Sequence, residues 1–366
     1  MIESKDISVI VQGAISKKET PKCLKSIRKY LPQAQILLST WEGSDVDGLD
    51  YDVLILNKDP GAAFIGEING IRMYNNINRQ LLSTQEGLKK AERKYAMKFR
   101  SDLILTGNKF LEYFDKFQKR TDKYKLFERK ILGSTIFTRY GIEHIKESRC
   151  DLTPFHISDW WFFGLKSDLD KYFMDTPLVD EPDFTNYFAL EENKHKCSPY
   201  YFTKFKFAPE QYLGYECFSR NFDDISMQDA SCINDEIMNK YRQCLVNNFI
   251  ILEYKQSGIY LNKYTYSKRE KFLGEQYFGL YNTYRYENDY KEFCDNEYKI
   301  TTDDICFKNP QYGIDFSRIC KHLYMLSVPT LPLRVRLEQV FISMPVTTFL
   351  FFIKHFREIV KKQFGR

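Results

Sequence analysis

The chain has 366 residues, 43% hydrophobic and 28% charged, which is enough to bury one large core or two ordinary ones and excludes disorder as the main state. Its 54 Lys and Arg against 49 Asp and Glu leave +5, and residues 333–366 alone hold seven basic and two acidic side chains, so the body sums to zero. A neutral body argues against nucleic acid as a partner, and nine cysteines without a CxxC pair or a Cys/His cluster at zinc spacing argue against a disulfide framework or a structural metal.

The first 140 residues alternate strand and helix signals, as an open α/β sheet requires. Residues 7–11 read as a short apolar strand. The pair Thr20-Pro21 starts a helix with Leu24, Ile27 and Leu31 on one face, and Pro32 stops it. Strands are expected at 35–39 and 53–56, with a turn at Asp59-Pro60-Gly61. A long helix is expected between Ile68 and Tyr95, with Ile71, Tyr74, Ile77, Leu81, Leu88 and Ala91 as its apolar stripe. Residues 96–105 read as one strand, followed by a helix bearing Phe110, Phe114 and Phe117. Further on come a strand from Ile131, a loop holding HISDWWFFG, a helix begun by Ser167 and Asp168, and a proline-started helix at 208–218. The N-terminus lacks the basic start and long apolar stretch of a signal peptide, so the expected location is cytoplasmic.

No glycine-rich phosphate loop follows the first strand: 11–16 (VQGAIS) matches neither dinucleotide nor P-loop spacing, which removes support from hydride transfer and P-loop hydrolysis. In the strand 96–105, alternation puts Lys98, Arg100 and Asp102 on one face. Such charges suit the carboxyl end of a strand, where open α/β sheets place their ligand crevice. There the two cations can meet a diphosphate and Asp102 can hold a divalent cation such as Mg or Mn. Gln12 and Thr40 end successive strands, and the helical residues Arg79, Gln80, Ser83 and Thr84 form a polar stripe that could turn toward a ligand. A solvated helix face accounts for such a stripe equally well. Asp159, between His156 and two tryptophans, is the first candidate for a general base, and Glu210 the second.

Six separated blocks in order resemble the WavE lipopolysaccharide-synthesis family: VIVQGAI at 9–15, SIRKYLPQAQILLSTW at 26–41, NRQLLSTQEGL at 78–88, KFRSDLIL at 98–105, HISDWWFFG at 156–164 and PEQYL at 209–213. The resemblance covers roughly the first 220 residues. It implies a GT-A-like, Rossmann-like nucleotide-sugar fold: an open, mostly parallel sheet with helices on both faces, followed by a mainly helical, aromatic-rich C-terminal region. It also implies a glycosyltransferase acting in lipopolysaccharide, capsule or related polysaccharide synthesis, with a nucleotide-sugar donor and a glycan or lipid-linked glycan acceptor. On this resemblance Gln12, Gly13, Thr40, Arg79, Gln80, Ser83, Thr84, Lys98, Arg100 and Asp102 would contact the donor, and Asp159, Glu210 and His156 would serve catalysis. Arg100-Ser101-Asp102 looks like the counterpart of an Asp-x-Asp metal motif, with arginine in place of the first carboxylate.

The expected domains are a catalytic unit at 1–220, an accessory region at 221–332 and a basic amphipathic tail at 333–366. In the tail, Phe349, Phe352, Ile353, Phe356, Ile359 and Val360 fall on one helical face opposite Lys354, Arg357, Lys361 and Lys362, the pattern of a helix lying on a membrane surface rather than crossing it. That would hold the protein peripherally on the inner face of the cytoplasmic membrane. Two competing readings are transfer of another nucleotide-borne group to the same glycan, and a glycan-binding subunit without catalysis.

Overall fold

Burial in the first half of the chain follows the alternation of its apolar runs. A computed structural model of the protein describes residues 2–301 other than 69–70, 145–148, 181–182, 201–202 and 262–279, together with Phe349. In chain order its elements begin β1 (Ile7–Gln12), α1 (Thr20–Tyr30), β2 (Gln35–Trp41), β3 (Val53–Asn57), β4 (Ala63–Ile68), β5 (Ile71–Asn75), α2 (Ile77–Lys90), β6 (Tyr95–Arg100) and β7 (Leu103–Leu105). They continue with β8 (Ile131–Ser134), β9 (Gly141–His144), β10 (Arg149–Leu152), β11 (Trp161–Leu165), α3 (Lys166–Phe173), α4 (Asp183–Asn186) and α5 (Pro209–Ser219). The series ends with α6 (Asp235–Asn248), β12 (Phe249–Leu252), α7 (Tyr254–Ser257), β13 (Ile259–Leu261) and α8 (Thr283–Phe293).

Seven strands form one sheet in the order β12-β8-β11-β6-β1-β2-β3. All neighbours pair in parallel except β11, which runs against both β6 and β8. This is the mixed α/β, mostly parallel architecture expected. In β1, Ile7, Val9 and Val11 join Cys23, Leu24 and Ile27 of α1 on one face. Ile10 joins Ile77, Leu81 and Leu88 of α2 on the other, so both faces are covered. Each such fully buried aliphatic side chain contributes roughly 1.5–3 kcal/mol. The strand β12 brings residues from beyond 220 onto the edge of this same sheet, with α6 and α8 packed nearby. The order reverses between β1 and β6, and Gln12 lies beside Ser39 of β2 and Arg100 of β6, so three strand ends meet where open sheets bind ligands.

Three elements differ from their sequence expectation. The long helix starts at Ile77, and 63–75 is instead the antiparallel hairpin β4–β5, which places Ile71 and Tyr74 in a strand. The side chain of Asn75 fixes this boundary by accepting from the Ile77 amide at 3.1 Å. The expected single strand at 96–105 breaks after Arg100, and β7 pairs with β13 instead of the main sheet. The phenylalanine helix is only a short 3-10 segment, Lys109–Tyr113, and Phe117 beyond it takes a left-handed backbone (φ 54°). Phe110 and Phe114 still reach the core, with ring centroids 5.2 and 5.6 Å from that of Phe163. No helix among the described residues is long and apolar enough to cross a membrane. The expected amphipathic tail lies outside the described residues, apart from Phe349.

Candidate active site

The ends of β1 and β6 are laced together. The Ser101 amide donates to the Gln12 carbonyl at 3.0 Å, and the Ser101 hydroxyl donates to that of Ala14 at 2.7 Å. Gly13 sits between them at φ 117°, where a side chain would be strained and its Cβ would crowd the Ser101 hydroxyl. Beyond these ends opens a cavity of about 730 Å³, ample for a nucleotide-sized ligand. Gln12, Gly13, Arg100, Ser101 and Asp102 line it from the strands, Arg79 and Gln80 from the first turn of α2, Asp159 from the loop before β11, and Glu210 from the first turn of α5.

Two bidentate ion pairs stand in its wall. Arg100 donates through Nε and Nη2 to both oxygens of Asp102, at 3.0 and 2.9 Å, and its guanidinium lies 5.4 Å from the Trp160 ring. Arg79 does the same with Asp59, at 2.7 and 2.6 Å, and also donates to Asn76. Such pairs lock planar guanidinium groups into fixed orientations. The sequence leaves two roles open here, a divalent cation on Asp102 or neutralisation of the donor by Lys98 and Arg100 without one, and in the structure both carboxylate oxygens of Asp102 are engaged by Arg100. No group of three His, Cys, Asp or Glu side chains among the described residues is arranged to hold one. The residues as arranged therefore do not make a preformed metal site.

The remaining expected donor contacts lie behind the wall. Lys98, two residues deeper in β6 than Arg100, is fully buried and donates to the main-chain carbonyl of Asp159. Burial pushes its ammonium down to about 8, opposed by the nearby Asp159 charge. Lys98 is thus a cation beneath the floor and does not face the cavity. The Ser83 hydroxyl lies 2.8 Å from Gln12 Oε1 and steadies that amide from outside the cavity. Thr84 is fully buried, and Thr40 is buried with its hydroxyl 3.2 Å from that of Ser44.

Asp159 is buried, yet its Oδ1 has no hydrogen-bond partner. Beside it, Glu210 is pushed up to about 7, by burial first and by the Asp159 charge second. His156 lies just behind, its Nε2 3.8 Å from Glu210 Oε2. Burial, with the Arg139 charge, holds the imidazole well below its usual range, so it is neutral. Its Nδ1 lies 2.8 Å from the Phe137 carbonyl, which assigns the proton to Nδ1 and leaves the Nε2 lone pair toward Glu210. Close packing sets this contact: Phe155 has a left-handed backbone (φ 62°), and its carbonyl oxygen occupies the space a side chain at Gly214 of α5 would need.

Residues 7–313 match the model of the WavE lipopolysaccharide synthesis family. The chain belongs to this family. No curated protein matches the chain. Membership of the WavE family carries a role in lipopolysaccharide synthesis. The matched span includes every residue of the cavity and continues about a hundred residues past Leu213, where the six sequence blocks end. Among the cavity residues, the sequence marks Asp59 only as part of a turn and Tyr74 as part of a helix, and assigns Ile65 to no element. The hairpin did have a signal, because Asn69-Gly70 sits between its strands.

The raised carboxyl of Glu210 makes a testable statement about stability. The folded chain keeps this proton up to about 7, whereas an unfolded glutamate loses it near 4.5, so the folded state binds more protons in that window and stability falls as pH rises through it. Glu210→Gln removes the effect. Because a fifth of the side chain still reaches solvent, the variant is expected to gain only ~1–2 kcal/mol over the wild type between pH 5 and 8. Parallel melting curves across that range would show that Glu210 titrates normally.

Proposed function

We propose that this WavE-family chain is a glycosyltransferase that moves a sugar from a nucleotide-sugar donor to a growing surface glycan, on a GT-A-like scaffold. The observation that carries the reading is the pairing, across one cavity at the sheet's order reversal, of two oriented arginines with the buried carboxyl of Asp159 and the partly buried one of Glu210. Arg79 and Arg100 meet the donor's phosphates, and Gln12 and Gly13 offer polar and close-approach contacts at the strand end. The Asp159 carboxylate takes the proton of the attacking acceptor hydroxyl. As the new bond to the anomeric carbon forms, the bond from that carbon to the phosphate oxygen breaks, and its electron pair leaves with the nucleoside phosphate. Glu210, whose carboxyl holds its proton up to about 7, limits the negative charge that the leaving phosphates meet. His156 lies behind Glu210, with the Nε2 of its neutral imidazole 3.8 Å from the carboxyl. No step is routed through a metal ion.

A screen against UDP-, GDP- and CMP-sugars tests this reading, with melting temperature and nucleotide release as readouts. One donor at ~100 times its dissociation constant is expected to add about 2.7 kcal/mol. With acceptor present it should release a nucleoside phosphate, and the stabilisation should persist in EDTA. Stabilisation that appears only with added Mg or Mn would return the cation to Asp102. No stabilisation by any nucleotide sugar would overturn the donor assignment.

A further inference from the structure

The hairpin β4–β5 pairs with no other strand among the described residues, yet it contributes Ile65 and Tyr74 to the cavity wall. Phe64 lies directly opposite Tyr74, with ring centroids 5.8 Å apart at 66°. The Arg72 guanidinium sits 5.0 Å from the Phe64 ring. Phe64 and Tyr74 are 46% and 44% exposed, and Tyr74 also lines the cavity. The register shifts between Phe64 and Gly66, a bulge of the kind that re-aims one side chain, and the residue it re-aims is Ile65. The foot of the hairpin is tied down, because Asn75 donates to the Thr185 hydroxyl at 3.2 Å while accepting from the Ile77 amide.

We propose that this hairpin is the acceptor platform: the Phe64–Tyr74 pair stacks a sugar ring of the acceptor glycan, and Arg72 binds its hydroxyl or acidic groups. The proposal rests on the glycosyl-transfer reading above. Aromatic faces take the C–H face of a sugar, and a cation held over one ring supplies donors at its edge. Area argues for a glycan over a protein. Two half-exposed rings offer ~200 Å² together, far below the ~800 Å² that a protein partner covers on each side. Continuity argues the same way. Tyr74 belongs both to the exposed pair and to the cavity wall, so a sugar stacked there leads its next residue toward Asp159.

The test uses the full chain and, as probe, lipid-free core oligosaccharide from lipopolysaccharide, with affinity read by calorimetry. The wild type is expected to bind saturably. The double variant Phe64→Ser with Tyr74→Ser should lose at least tenfold in affinity, while its melting temperature and its stabilisation by nucleotide sugar stay unchanged. Phe64→Ser alone, at the more exposed of the two rings, should still weaken binding severalfold, and it decides the matter if the double variant does not fold. Unchanged affinity in the serine variants, or absence of saturable binding by the wild type, overturns the platform. Equal loss of donor stabilisation and oligosaccharide binding also overturns it, by assigning the hairpin to the donor. If no nucleotide sugar stabilises the wild type but the serine variants still lose the oligosaccharide, the transfer reading fails and the platform stands.

Discussion

Asp159→Asn is expected to lower turnover by ~10²–10⁴, equivalent to about 2.7–5.5 kcal/mol of transition-state stabilisation, with donor stabilisation unchanged. The asparagine keeps the shape of the side chain but cannot accept a proton. The contact that holds this stretch of chain comes from Lys98 and ends on the main-chain carbonyl, which the substitution leaves intact. Fold and cavity should therefore survive. Because a general base acts in the transition state, kcat and kcat/KM should fall together. Preserved turnover with weakened donor binding would make Asp159 a binding residue and pass the role to Glu210. Glu210→Gln offers the internal contrast. Well below pH 7 that carboxyl is largely protonated, so its amide should cost turnover little there.

The sheet was legible because its strands are short apolar runs separated by helices with marked ends, such as Pro21 at the start of α1 and Pro32 just after it. The charged cluster on β6 was legible for a related reason, since alternation assigns a face to each residue. Alternation gives a face but no depth. Lys98 shares the face of Arg100, yet two residues along a strand is about 6.6 Å, enough to move an ammonium from the crevice to the buried middle of the sheet. The stripe on α2 misled in a similar way. Arg79 and Gln80 sit in the first turn and line the cavity, whereas Ser83 and Thr84, a turn further along, are buried. The start of α2 was placed too early because Ile71, Tyr74 and Ile77 keep a helical spacing, although Asn69-Gly70 already marked a hairpin. The approach of His156 to Glu210 joins residues 54 apart in sequence, and only the packing of α5 on the 153–160 loop reveals it.

That packing sets up the largest expected loss of stability, at Gly214. The Cβ of Gly214→Ala would run into the Phe155 carbonyl oxygen, a backbone atom that no rotamer change can move aside. Phe155 already holds a left-handed backbone, and its ring packs 6.0 Å from Phe218 and 5.4 Å from Tyr241, so the loop has no room to retreat. Two effects oppose each other. Alanine in a helix is favoured over glycine by ~1 kcal/mol, while overpacking a buried contact costs ~1–3 kcal/mol and more where backbone must shift. The steric term wins because both partners are rigid and buried. The net expectation is a loss of ~2 kcal/mol, read as a melting temperature lower by roughly 2–4 °C in a chain of this size. Ser219→Ala, in the last turn of the same helix, should leave the melting temperature within about 1 °C. The catalytic consequence is separate from the stability one. Moving the start of α5 outward draws Glu210 away from His156 and toward water, so its carboxyl returns toward the ordinary range and the pH dependence tied to Glu210→Gln shrinks in the Gly214→Ala background. A Gly214→Ala protein as stable as the wild type, with that pH dependence intact, would show that the loop yields and that the Phe155 contact does not position the site.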